Sequence, residues 1–144
     1  MVGNLRDAAK LQTKIKKTDM ILKYFKKVKD EVDNFNHIVI SNSTNEKVYS
    51  NKRGFIEGKV DFTDESRLEF TEVKDVEFEN KMKYSYHYMD KGNAMQFRYD
   101  NTKHHPDIST YPHHKHTSSG IEPSNEPEIG DVLSEIEKEV LKKR

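Results

Sequence analysis

The chain has 144 residues, no cysteine, and 25 Lys and Arg balanced by 25 Asp and Glu. That length fits one domain with a single core, and the lack of cysteine excludes a disulfide framework or a thiolate metal site. The cancelling charges exclude a global field that would draw in nucleic acid or an anionic membrane, though not a local patch.

Hydrophobic residues make up only 33% of the chain against 35% charged, so the core must be economical. No apolar run reaches membrane-spanning length and no signal-peptide core is present. The expectation is a cytoplasmic protein with no membrane partner.

Residues 1–35 read as a basic helical region, with nine Lys and Arg against five Asp and Glu. Ala8, Leu11, Ile15, Leu22, Phe25, Val28, Val32 and Phe35 form its apolar stripe. Thr18-Asp19 interrupts the stripe and has N-cap chemistry, so either two helices or one long helix with a weak point is expected. The basic face is either plainly solvated or a surface for RNA or an acidic partner. If Leu5 to Asp19 finds no core, its stripe becomes a partner or homodimer surface.

Residues 36–101 read as an antiparallel sheet. His37 to Ser41 is a short strand, Asn42 to Asn45 a polar loop, and Glu46 to Ser50 a further short strand. Phe55 to Thr63 alternates with Ile56, Gly58, Val60 and Phe62 on one side. Asp64-Glu65-Ser66 turns the chain, and Arg67 to Lys74 returns with Leu68 and Phe70 inward. This register sets Gly58 opposite Glu72. Glu72 then points inward, where a charge needs a partner. Either the glycine leaves a gap for a ligand, or a bulge turns Glu72 outward.

Tyr84, Tyr86 and Tyr88 alternate with Lys83, Ser85 and His87, the period of a half-buried strand. Asp90-Lys91-Gly92-Asn93 is turn chemistry. With Lys91 and Gly92 as a two-residue loop, Tyr88 meets Met95, Tyr86 meets Phe97 and Tyr84 meets Tyr99. The other face sets His87 opposite Gln96, Ser85 opposite Arg98 and Lys83 opposite Asp100. This polar face is either an ordinary solvated surface with a cross-strand ion pair or a site. Four main strands, up to six, follow in a meander.

Residues 102–125 read as a long loop and residues 126–144 as a helix. Pro127 sits in the helix's first turn, and Ile129, Val132, Leu133, Ile136 and Val140 form its stripe. The fold class is therefore α+β. The loop carries His104-His105-Pro106 and Pro112-His113-His114-Lys115-His116, and six of the seven histidines lie between Lys83 and His116. Three readings stay open. Imidazoles could bind zinc, nickel or iron with Asp100 or Asp107, although the spacing matches no known zinc pattern. They could move protons in metal-independent phosphodiester cleavage, with Arg98 and Lys115 on the phosphate. They could simply pack the loop onto the sheet. No cofactor is expected, since no Gly-rich phosphate loop, Walker A or HExxH occurs.

Tyr84-Ser85-Tyr86-His87-Tyr88, Phe97-Arg98-Tyr99-Asp100-Asn101, His104-His105-Pro106, Tyr111-Pro112-His113-His114-Lys115-His116 and Glu122-Pro123-Ser124 together resemble the TumE-like family of prokaryotic toxin–antitoxin toxins. The resemblance runs from about Gly54 to Val140 and includes Asp64-Glu65-Ser66, where the family more usually has Asp-Gly-Ser. It implies a toxin paired with a helix-turn-helix antitoxin. The expected function is metal-independent RNA cleavage or RNA binding, against a non-enzymatic protein-binding module or a histidine-ligated metal protein. The candidate site residues are His87, Arg98, Asp100, His104, His105, His113, His114, Lys115 and His116, with Glu72 as an outlier.

Overall fold

The computed structural model describes residues 20–144. The expectations placed on Leu5 to Asp19, including the homodimer surface, lie outside the described residues. Helix α1 (residues 20–33) leads into β1 (Val39–Val48), β2 (Arg53–Phe62), β3 (Arg67–Asp75), β4 (Lys83–Met89), β5 (Met95–Asp100), β6 (His114–Thr117) and β7 (Gly120–Pro123). Helix α2 (Ile129–Lys142) ends the chain. The strands form one antiparallel sheet in sequence order. Among the described residues the architecture is α+β with a meander, but the sheet has seven strands rather than four to six. Among the described residues, no helix is long and apolar enough to cross a membrane.

Alternation divides the sheet into two unlike faces. One carries Ile56, Val60, Phe62, Leu68, Phe70, Tyr84, Tyr86, Tyr88 and Phe97, buried together with α1 and α2. From α1 come Ile21, Phe25, Val28 and Val32, and from α2 the five stripe residues named above. Leu22, expected in the α1 stripe, is 43% exposed, and Ile21 takes its place. The opposite face is polar, and the candidate site lies there.

Four expectations are corrected. First, β1 is one ten-residue strand, although Asn42 to Asn45 reads as a loop. It is an edge strand that pairs with β2, held mainly by backbone hydrogen bonds, with Val39 packed against the core and its middle polar and mostly exposed. Second, residues 102–125 are not all loop, because β6 and β7 add a hairpin. The inward position of β6 is filled by Lys115, whose stem covers the rings of Phe97 and Tyr99. No hydrophobic alternation could mark such a strand.

Third, both predicted registers slip by two residues, which keeps every side chain on its face. Gly58 pairs with Phe70 and Glu72 with Ile56. The Phe70 ring lies over Gly58, where a Cβ would come within 2.5 Å of it. In the next hairpin the connection is longer than two residues, and Asn93 rather than Gly92 takes the left-handed conformation (φ 64°). Asp90 Oδ1 accepts hydrogen bonds from the Gly92 and Ala94 amides and fixes this turn. Tyr86 therefore pairs with Tyr99, His87 with Arg98 and Ser85 with Asp100.

Fourth, α2 starts at Ile129 rather than Glu126. Glu128 is the N-cap, and its amide donates to Asp131 Oδ2 at 3.0 Å. Glu126 instead accepts from the Lys81 amide, and Lys81 is nearly buried beside it.

Candidate functional site

On the polar face, β4, β5 and β6 set out two cross-strand rows. One row is His87, Arg98 and His116; the next is Ser85, Asp100 and His114. Neighbouring strands lie about 4.8 Å apart, so each row places three side chains in reach of one another. The loop before β6 adds His105, edge-on to His114 (ring centroids 5.1 Å) and His116 (6.0 Å).

Asp100 is the hub. Its Oδ2 accepts from Arg98 Nε at 2.9 Å, and its Oδ1 accepts from the Thr102 amide at 3.0 Å. His114 Nε2 lies 2.9 Å from Oδ1, and His116 Nε2 lies 3.5 Å from Oδ2. Burial alone would raise the Asp100 carboxyl. The Thr102 amide, the charge of His114 and the Arg98 hydrogen bond outweigh burial and hold it below the usual carboxylate range.

His114 is buried, and its Nδ1 faces the Pro112 carbonyl at 2.9 Å, where it can only donate. His116 Nε2 receives Arg98 Nη2 at 3.1 Å, so it must be the bare, accepting nitrogen. Burial and then the Arg98 charge depress the His116 imidazole, against the pull of Asp100. The same two causes depress His87, with Glu69 opposing. Arg98 thus stands between two imidazoles that both favour their neutral form.

A cleft of about 550 Å³ opens over these residues, lined also by Lys83, Thr102 and exposed His104. A second cleft of about 550 Å³ shares Ser85 and His87 with it and runs past Glu69, Lys59 and Ser43 toward β1. The two clefts adjoin at Ser85 and His87 on the polar face.

Three candidates lie elsewhere. Lys115 projects to the helix side and pairs with Glu135 of α2 at 2.9 Å. His113 stacks on Tyr84, and its Nδ1 lies 2.9 Å from the Tyr84 hydroxyl. Glu72 is buried under the helices, where Tyr86 O–H donates to it at 2.6 Å and Tyr24 O–H donates to its other oxygen. Burial raises the Glu72 carboxyl, against the charge of Lys81 and the two tyrosine hydrogen bonds.

Thr102 and Ser85 were not among the sequence candidates. Thr102 had a readable signal: an Asp two residues before it, at a strand end, is the pattern of an Asx turn. Alternation put Ser85 on the polar face, but its place beside Asp100 depends on the β4–β5 register.

The family model described as Toxin TumE matches residues 25–144. The chain belongs to the TumE toxin family. The comparison with curated proteins found no match, and neither did the comparison with solved structures. The TumE match covers α1 from Phe25 onward, every described strand and α2, and it includes all ten candidate residues. Membership makes the chain a toxin component and implies an antitoxin partner.

Proposed function

We propose that this toxin cleaves single-stranded RNA without a metal, using the ribose 2′-OH as nucleophile. The observation that supports the reading most is the row His87–Arg98–His116 on the open face. In-line attack at phosphorus places the entering and leaving oxygens on opposite sides of the phosphate. A guanidinium flanked by two imidazoles matches that requirement.

Arg98 is held by Asp100 through Nε, and when a phosphate arrives Nη2 leaves His116 Nε2 and turns with Nη1 to the phosphate oxygens, which bares the His116 lone pair. His116 Nε2 accepts the 2′-OH proton as the 2′-oxygen bonds to phosphorus. The P–O5′ bond then breaks, and His87 gives a proton to the leaving 5′-oxygen. The products are a 2′,3′-cyclic phosphate and a 5′-OH. Phosphate charge offsets Arg98, which removes one cause of the depressed His87 and lets that imidazole load a proton. The adjoining cleft toward β1 has room for flanking nucleotides. The partner we propose is a helix-turn-helix antitoxin, the kind that the family resemblance implies.

The test is incubation of the folded, tag-free chain with RNA in the presence of a chelator. Cyclic-phosphate ends that disappear in Arg98→Ala support the proposal. Intact RNA in the presence of a protein that still arrests growth would remove it.

A further inference from the structure

We propose that His105, His114 and His116, together with Asp100, form a binding site for a divalent transition metal, zinc being the natural probe. The three imidazoles bring ring nitrogens within 4.8 Å of one another. His114 Nε2 lies 3.1 Å from His116 Nε2 and 2.9 Å from Asp100 Oδ1, while His116 Nε2 lies 3.5 Å from Asp100 Oδ2. Metal–ligand bonds of roughly 2.0–2.2 Å in a tetrahedron give ligand–ligand edges of about 3.3–3.6 Å. His114 and His116 already stand near that spacing, each touching a different Asp100 oxygen, and His105 offers a ring nitrogen within 4.8 Å of both.

The electrostatics point the same way. His114 donates Nδ1–H to the Pro112 carbonyl, so its Nε2 is the nitrogen turned to Asp100. A bare lone pair facing a carboxylate at 2.9 Å is repulsive unless a positive centre, a proton or a metal ion, stands there. A metal-binding histidine commonly has its second nitrogen fixed in this way. Asp100 is likewise oriented by Thr102 and Arg98. Arg98 must release His116 Nε2 when a metal arrives. Its side chain is 36% exposed, so it can swing outward while Nε keeps its hold on Asp100. Imidazole and one carboxylate select zinc, cobalt or nickel over magnesium or calcium.

The site shares His116 with the proposed reaction, and this second part rests on that reading. A metal on His116 Nε2 occupies the lone pair that would accept the 2′-OH proton. Zinc therefore switches the centre off rather than on.

The experiment uses the tag-free full chain, stripped with a chelator, and titrates it with zinc by calorimetry and by equilibrium dialysis with elemental analysis. One zinc per chain is expected, with affinity at least tenfold weaker in His105→Ala and in His116→Ala. His37→Ala, whose ring pairs with Glu137 away from the cluster, is expected to bind like the parent. Circular dichroism confirms that each variant is folded. No saturable zinc, or equal affinity in the two site variants, overturns the site and leaves the RNA reading standing. RNA cleavage is then measured with and without zinc, and a fall of at least tenfold is expected. Cleavage that rises with zinc overturns the switch. Zinc binding with no cleavage in either state keeps the site and removes the RNA reading.

Discussion

Arg98 Nη2 lies 3.1 Å from His116 Nε2, across the β5–β6 ladder. The contact joins a strand that the sequence announces to one that it conceals. It exists because Arg98 Nε is anchored on Asp100 at 2.9 Å, which aims Nη2 at His116.

Replacing Arg98 is therefore expected to separate activity from stability. Arg98→Ala should lower RNA cleavage by about 10²–10³-fold, the scale of losing one preorganised charge donor at a transition state. Arg98→Lys should recover little, since one ammonium cannot hold Asp100 and phosphate together. Thermal melting should move by only a few degrees, because the side chain is partly exposed. Initial rates on a labelled oligonucleotide, with melting curves of the same samples, check this.

Lys115→Ala is the converse. Lys115 sits on the helix side, paired with Glu135 and lying over the rings of Phe97 and Tyr99. Its removal should destabilise the chain by about 1–2 kcal/mol through lost cation–π contact and stem packing. Cleavage should persist at a temperature where the variant is folded. Urea unfolding and an activity assay on one preparation decide it.

Glu72 gives a pH signature. Its folded-state carboxyl is raised by burial. A raised carboxyl adds stability below the unfolded value of about 4.3, and that stability is lost as pH rises through the higher folded value. Asp64, Asp75 and Asp100 are held low and give the opposite slope, losing stability as pH falls. The difference between parent and Glu72→Gln isolates the first effect. Relative to the parent, Glu72→Gln should gain stability as pH rises from acid to neutral. Melting temperatures of both chains across that range measure it, and a constant difference would count against a buried, raised carboxyl.

Glu65 occupies the left-handed region with φ 70° in the β2–β3 turn. A side chain there is strained, and only glycine enters freely. Glu65→Gly should stabilise the fold by about 0.5–1 kcal/mol. The lost ion pair with Lys91 is exposed at both ends and offsets little. The midpoint of urea unfolding should rise with an unchanged slope.

Where hydrophobic alternation spoke, the fold could be read from the sequence. Ile56 to Phe62, Leu68 to Phe70 and the Tyr84 to Tyr88 run all lie on the face their period assigned. The middle of β1 and all of β6 stayed hidden, because Asn42 to Asn45 are polar and mostly exposed and β6 buries a lysine stem. Side-chain faces survived the two-residue register errors, but neighbours across strands did not. His87 beside Arg98 depended on a turn in which Asn93, not Gly92, goes left-handed, and Asp100 beside His114 on the pairing of β6 to β5. The histidine string pointed to the right region. Alternation within β6 then separated His114 and His116 from Lys115, which a string read as loop could not anticipate.

The most direct test is the end chemistry of RNA treated with the chelated, tag-free toxin. A 2′,3′-cyclic phosphate and a 5′-OH, absent with Arg98→Ala and with His116→Ala, are the expected result. RNA left intact by folded parent protein that still halts growth would contradict it.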